Sequence, residues 1–329
     1  MRRTAWAIGL ALMLLWVPGA SAQTPEYFPF PTGYGVSNFG VAADGAGDVW
    51  FSAQTPQLPG GQQPVAALAR LRPSEAVPGT SNGITFYPTP DPTVDPSCCA
   101  TQVRSIAYNS DEDRLYYVRS EGSLGWAVPG SMVPGTTQGI HSQRLAGGQD
   151  LWDVATSPLG GVWLTEHSAG NVAPFYGDRV ASYDGVTVNE GPNVAMQNGQ
   201  TALSDQRYDA EPAGVAVAAD GAPWFIEAAA GLPGYRIATY QGGPSYLEYF
   251  AAPCADGPYC SGSFNGTALS DVTVAHDGSI WFTNQLKRTF GRLDPSTLAV
   301  TQYALTSVDP SLAAGTPGRS RRRPTARCG

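Results

Sequence analysis

The sequence predicts an all-β fold, a β-propeller built from four-stranded blades, five of them recognisable. Three observations predict it. A motif recurs along the chain: a short apolar strand, a tight turn of the Asp-Gly type, then an aromatic-rich strand. Glycine and proline are plentiful, at 39 and 28 of 329 residues, while charged residues make up only 14%, a balance that suits many short strands joined by turns. No long segment carries the 3.6-residue apolar period of an amphipathic helix, so almost no helix is expected.

The first element is a leader. Arg2 and Arg3 precede an apolar stretch from Ala5 to Val17, and Ala20-Ser21-Ala22 supplies a small-x-small cleavage pattern. Residues 1–22 therefore read as a signal peptide, with an apolar centre too short to span a bilayer. The mature chain is expected to start at Gln23 and to be secreted or periplasmic, with no membrane span. Glu26-Tyr-Phe-Pro-Phe-Pro31 comes next and is patterned like a blade's fourth strand, Ile84-Thr-Phe-Tyr-Pro88. Standing ahead of its own first strand, it is expected to close the ring on the last blade and so remove an exposed sheet edge.

The blades follow, and together with that segment they assign residues 23–318 to the propeller. The first reads Gly40-Val-Ala-Ala-Asp-Gly-Ala-Gly-Asp-Val-Trp50-Phe51. Close copies are Val215-Ala-Val-Ala-Ala-Asp220-Gly221-Ala-Pro-Trp224-Phe225 and Val272-Thr-Val-Ala-His276-Asp277-Gly278-Ser-Ile-Trp281-Phe282. Looser copies run from Ile106 to Tyr117 and from Val154 to Leu164. The Asp-Gly step supplies positive-φ positions for a hairpin, and the Trp fills the wedge between neighbouring sheets, which a single blade cannot bury alone. Third and fourth strands are visible in Phe290 to Pro295 with Ala299 to Tyr303, and in Tyr235 to Tyr240 with Tyr246 to Phe250.

The last element, residues 319–329, is a basic tail that breaks the pattern. Thr316-Pro-Gly318 reads as the entry to another blade, but Arg-Ser-Arg-Arg-Arg-Pro-Thr-Ala-Arg-Cys-Gly329 follows. One permitted set of codons for that tail, read from the third base, encodes Ile-Ala-Ala-Ala-Pro-Asp-Gly-Thr-Leu-Trp, the blade motif in its expected place. The expectation is a frameshifted remnant of the next blade, the chain deriving from a six- or seven-bladed parent. A basic tail that binds an anionic surface and a disordered end are the alternatives. Without leader and tail, twelve basic residues face 27 acidic ones, a balance of about −15, so the body repels phosphate backbones and nucleic acid is not a partner.

Four cysteines remain besides Cys328: Cys98, Cys99, Cys254 and Cys260. An even number in an exported chain points to disulfides. Cys254 and Cys260 can close locally; Cys98 and Cys99 can form a vicinal bridge or reach the other pair. All four lie in long connectors, roughly Pro88 to Gln102 and Ala251 to Ser270, with a third from Gly185 to Pro212. Long loops on one face of a rigid scaffold are where binding usually resides, although they can equally serve only to cover the channel mouth. No paired C-x₂-C spacing suggests a metal site at these cysteines.

Trp281-Phe-Thr-Asn284, Phe290-Gly-Arg292-Leu-Asp-Pro295 and Trp163-Leu-Thr-Glu166 resemble the blade motifs of the streptogramin lyase (virginiamycin B lyase) family, and the likeness spans nearly the whole mature chain. The resemblance implies a propeller that opens the ester ring of a cyclic depsipeptide by elimination with Mg²⁺, using a base at carbon and a metal to hold the enolate. The family's Glu position is matched by Glu166 and Glu227, the candidate catalytic residues, but by Ala53 and Asn284 elsewhere. Its first-strand His positions hold Phe39, Arg104, Trp152, Ala213 and Ser270. No His stands at any of them, which counts against lyase activity; Arg104 and Trp152 are instead candidate ligand-binding residues.

A different site remains open. Asp153 and Asp271 stand at equivalent first-strand positions near the axis, with Glu166, Glu227 and Asn284 on second strands, and such oxygen ligands suit Mg²⁺ or Ca²⁺. These five are the candidate metal ligands of a metal-assisted lactonase. Equally, the carboxylates can cap turns or pair with Arg104 and Arg292. His167 follows Glu166 and so points to the opposite strand face, His276 lies in a hairpin turn, and His141 begins a fourth strand. No G-x-S-x-G or Gly-rich phosphate loop is present. The leading expectation is a monomeric propeller that binds a small molecule or peptide at its channel mouth. The alternatives are an envelope propeller for a protein or glycan, and the lactonase.

Overall fold

In a computed structural model, the described residues are 26–55, 65–90, 102–145, 150–167, 179–191, 212–227, 236–242, 247–250, 269–284 and 289–304. They form five antiparallel four-stranded sheets, each made of consecutive strands in simple up-and-down order. Blade one comprises β1 (Gly35–Ala43), β2 (Val49–Gln54), β3 (Ala66–Leu71) and β4 (Ile84–Pro88). Blade two holds β5 (Val103–Asn109), β6 (Arg114–Arg119), β7 (Ser123–Ala127) and β8 (Ile140–Arg144). Blade three holds β9 (Asp150–Thr156), β10 (Val162–His167), β11 (Arg179–Tyr183) and β12 (Val188–Glu190). Blade four holds β13 (Pro212–Val217), β14 (Pro223–Glu227), β15 (Arg236–Thr239) and β16 (Leu247–Phe250). Blade five holds β17 (Leu269–Val274), β18 (Ile280–Asn284), β19 (Thr289–Leu293) and β20 (Val300–Ala304). Among the described residues the only helical segment is a 3₁₀ turn at Pro129–Ser131.

The first strands pack on one another in succession, β1 on β5, β5 on β9, β9 on β13 and β13 on β17. They therefore line the axis. Among the described residues, β17 does not pack on β1 to the same extent.

The aromatic at the head of each second strand occupies one repeated register. Trp50 lies opposite Ala42, Tyr116 opposite Ala107, Trp163 opposite Ala155, Trp224 opposite Ala216 and Trp281 opposite Thr273. The first four each pack toward the following blade. Trp50 joins Ile106, Leu115 and Tyr117 of blade two, Tyr116 joins Leu164 and Tyr183 of blade three, and Trp163 packs with Phe225 of blade four. Trp224 completes the series against Val272 and Ile280 of blade five. The wedges expected from sequence are thus where the apolar surface is buried.

The residue after each of these aromatics dictates its neighbour on the third strand. Tyr117 lies opposite Gly125, and Phe282 opposite Gly291; Phe51, Leu164 and Phe225 lie opposite Ala69, Ala181 and Ala238. A Cβ at Gly125 would come within 1.9 Å of the Tyr117 ring, and one at Gly291 within 2.1 Å of Phe282. Gly125→Val should therefore destabilise the chain by about 1–3 kcal/mol, the usual cost of overpacking; an unchanged denaturant midpoint would show that the ring has room to move.

In the Asp-Gly turns the glycine alone takes positive φ. In blades four and five Gly221 donates to the Ala218 carbonyl and Gly278 to the Ala275 carbonyl, closing three-residue loops with the glycine in the left-handed region. The Asp before each glycine instead accepts from a backbone N–H two residues on, Asp220 from Ala222 and Asp277 from Ser279. In blade one the matching glycine is Gly47, not Gly45. Asp44 accepts from the N–H groups of Ala46 and Asp48 and from Trp50 Nε1, so it ties the turn to the wedge.

The N-terminal segment also departs from expectation. Residues 26–31 form no strand and do not add to blade five, which supplies its own fourth strand, β20. They lie on blade one, with Phe30 against Phe51 and Phe86 and the Tyr27 carbonyl accepting from Gly79. This covers the blade-one face formed by Ala53, Ala67 and Ala69.

Candidate functional site

The site residues come from one structural irregularity repeated five times. Between first and second strands the register slips: between Val36 and Val41, Val103 and Ser105, Leu151 and Asp153, Pro212 and Val215, and Leu269 and Asp271. Bulges of this kind re-aim side chains at the rim of a sheet. Arg104, Trp152 and Ser270 are the unpaired residues of their bulges, and Phe39 and Ala213 lie within the slipped stretches. All five positions singled out on the first strands thus share one structural device. The bulges lie at the starts of the first strands, beside the ends of the second strands.

At the junction of blades two and three the bulge residues meet. The Arg104 guanidinium lies 4.1 Å from the centroid of the Trp152 ring and forms a 2.8 Å ion pair with Asp150. Its Nη1 is buried without an acceptor among the described residues. Burial pulls its pKa down, with Asp150 opposing. Trp152, although it carries this cation on its face, keeps 37% of its surface exposed. Glu121 adds negative charge nearby and pairs with the wholly buried Arg119 at 2.7 Å. Sequence reasoning missed Asp150 and Arg119. The signal for Arg119 was present, because Tyr116-Tyr117-Val118-Arg119 aligns with Trp163-Leu164-Thr165-Glu166.

The next position of the repeat holds Gly40, Ser105, Asp153, Gly214 and Asp271, each one residue before the first-strand partner of Phe51, Tyr117, Leu164, Phe225 and Phe282. Asp153 braces this tier. Its carboxylate accepts from the Val154 N–H at 2.9 Å and from Val215 of the next blade at 2.7 Å. Burial pushes its pKa up to about 6, opposed by hydrogen bonds from Ser105 and those two N–H groups, with Asp271 adding to the rise. Asp271 accepts from Val272 at 2.8 Å. It has open surface yet is walled in by neighbouring strands, as suits a channel-lining group, and burial raises its pKa as well.

The second-strand ends form another tier: Ala53, Arg119, Glu166, Glu227 and Asn284. Glu166, Glu227 and Asn284 are all buried. Burial lifts Glu166 to about 7 against the opposing charge of Arg179, its cross-strand neighbour, and its Oε2 has no hydrogen-bond partner among the described residues.

Four of the five expected metal ligands are therefore split between strand faces. Asp153 pairs with Thr165 and faces blade four, whereas Glu166 pairs with Leu151 and faces blade two, because adjacent strand residues point to opposite faces. Asp271 and Asn284 are split in the same way, opposite Thr283 and Leu269. Among the described residues no group of three or more His, Cys, Asp or Glu side chains comes together to hold a metal. Nor do the carboxylates pair with Arg104 and Arg292 as the alternative held: Arg104 goes to Asp150 and Arg292 to the hairpin residue Asp277. Cys98, Cys99, Cys254 and Cys260 lie outside the described residues.

No protein-family model and no curated protein matches the sequence. Solved structures do match the fold. A catalytically inactive variant of virginiamycin B lyase from Staphylococcus aureus, solved with quinupristin, aligns over 85% of this chain and 73% of its own, with 15% identity and a TM-score of 0.57. Selenomethionine-substituted virginiamycin B lyase from the same organism aligns over 82% and 72%, with 16% identity and a TM-score of 0.53. The fold is that of a streptogramin-lyase-like β-propeller. A calcium-binding regucalcin from Agrobacterium tumefaciens aligns over 82% of this chain and 75% of its own, at 13% identity and a TM-score of 0.47. In this streptogramin-lyase-like chain the first-strand bulges carry Arg104 and Trp152 rather than His, and no helix among the described residues is long and apolar enough to cross a membrane.

Proposed function

We propose that the chain is an exported, streptogramin-lyase-like propeller that binds a small molecule or peptide at its channel mouth without cleaving it. The observation that carries this reading is the guanidinium of Arg104 held against Trp152, whose ring keeps a solvent-facing surface. An indole already fixed by a cation loses little freedom when a flat or cyclic ligand covers it, so stacking there contributes to affinity at small entropic cost. Arg104 offers a charge-assisted donor to a ligand carbonyl or carboxylate. Cleavage by elimination needs a base at the reacting carbon, and none of the five bulge positions supplies a His.

Quinupristin, present in one of the matched lyase structures, is the first ligand to test. Titration followed by calorimetry should show binding to the mature chain, with no ring-opened product by mass spectrometry. Trp152→Ala should weaken binding about tenfold, the loss expected for a desolvated cation–aromatic face. Equal affinity of the variant would remove this site, and ring opening would show that the chain is a lyase.

A further inference from the structure

We propose that Asn82-Gly83, in the connector from β3 to β4, is a spontaneous modification site at which Asn82 loses its side-chain amide and becomes aspartate or isoaspartate.

The step needs an exposed Asn side chain that is free to turn, a following amide nitrogen not committed to a hydrogen bond, and no side chain on that next residue to block the approach. Ser81-Asn82-Gly83-Ile84 supplies all three. The Ile84 N–H donates to the Ser81 carbonyl at 3.2 Å, and Gly83 takes φ +81°, as at the third residue of a type II turn. In such a turn the peptide between the two central residues takes no part in the closing bond. The Gly83 N–H accordingly donates to no acceptor among the described residues. Asn82 is exposed, and only its backbone N–H is tied, to Thr80 Oγ1 at 3.2 Å. Position 83 is held to glycine by its φ and by its neighbours: a Cβ there would lie 2.9 Å from the Ala76 nitrogen and 3.0 Å from the Arg72 carbonyl oxygen. The fold thus requires the very residue that leaves Asn82 open to attack.

Asp44, Asp184, Asp220 and Asp277 also precede glycine among the described residues, and each has a carboxylate oxygen held by a backbone N–H. Asp44 accepts from Ala46 and Asp48, Asp184 from Val186 and Thr187, Asp220 from Ala222 and Asp277 from Ser279. Gly221 and Gly278 further commit their N–H groups to Ala218 and Ala275. The matching loop of blade two, Thr137-Gln138-Gly139-Ile140, has the same closing bond and Gly139 at φ +78°. There the longer Gln side chain would have to close a larger ring, which forms more slowly.

The atoms balance with water alone. The Gly83 nitrogen, its proton passed to hydroxide, adds to Cγ of Asn82. The Cγ–Nδ2 bond breaks, and the amide nitrogen leaves as ammonia with a proton from water. The cyclic imide that remains joins the Gly83 nitrogen to both carbonyl carbons of the former Asn. Water opens it at Cγ to give aspartate, or at the backbone carbonyl to give isoaspartate, in which the main chain runs through the side chain. Either product adds a negative charge, and isoaspartate also lengthens the backbone by one carbon. That extra length falls between the Asn82 N–H, held by Thr80, and the Gly83 carbonyl, which accepts from Arg72. It therefore strains the loop whose Gly79 N–H holds the N-terminal segment at the Tyr27 carbonyl.

The test is to incubate the full chain at neutral pH, folded and in denaturant, and to map its peptides by chromatography and mass spectrometry. In the folded protein the Asn82 peptide should gain the mass of a hydrolysed amide, split into two isomers, and convert at about the rate seen in denaturant, because the turn gives no protection. Over the same period the Asp220 and Asp277 peptides should isomerise only in denaturant, and Gln138 should stay intact. Asn198-Gly199 and Asn265-Gly266 lie outside the described residues and report through peptides of their own. Asn82→Gln, which copies the blade-two loop, should fold as the parent does and lose the acidic species that the parent accumulates from this peptide. An Asn82 peptide that stays intact in the folded protein, or that is protected by folding as strongly as the Asp220 and Asp277 peptides, overturns the assignment.

Discussion

Trp50→Ala should cost the chain about 3–5 kcal/mol, the range for deleting a large buried aromatic, and so a large part of the stability of an ordinary domain. The indole is wholly buried, spans two blades, and anchors its own hairpin through Asp44. Trp281→Ala removes the same side chain from the same register, but from a half-buried stack on the far face of blade five. Its cost should be less than half as large. Denaturant midpoints of the two variants, measured together, check the wedge interpretation directly. Equal losses would mean that the strand register matters and the interblade contact does not.

Glu166→Gln should stabilise the chain at alkaline pH by about 3 kcal/mol relative to its effect at pH 5, the equivalent of lifting a carboxyl from 4.5 to about 7. Because the folded-state value is the higher one, the folded protein holds the proton more tightly than the unfolded chain. The contribution is present in full below about pH 4.5 and is lost as pH rises through about 7. Asp153, lifted to about 6, tilts stability the same way, so the parent protein should weaken steadily from pH 5 to pH 8. The glutamine variant should show a shallower slope over that interval. Identical slopes would place the Glu166 carboxylate in contact with water or a cation.

Much of this was legible in the sequence because the fold repeats. A wedge Trp after a turn must bury its face on a neighbour, so Trp50, Trp163 and Trp224 fixed the blade order without coordinates. The turns were less legible: an Asp-Gly pair marks a bend but not which glycine takes the left-handed conformation, and Asp44-Gly45 pointed two residues too early. The site was legible in part. Arg104 and Trp152 were found by position in the repeat, yet their contact depends on bulges that each eject one residue from their first strands, and a bulge leaves no compositional trace. The same bulges separate Asp153 from Glu166. Counting carboxylates near an axis could not reveal that they face different blades.

The axial tier has a consequence for how such a chain can change. A side chain at Gly40 would run into the backbone of Ser105 and Ile106, and one at Gly214 into Asp271, while Asp153 reaches across to the Val215 N–H. Gly40 and Gly214 are therefore small by necessity, each sized to the blade that follows it. A repeat copied or transplanted to another position would meet the wrong neighbour, so the inner tier works as an address that keeps every blade in its assigned order.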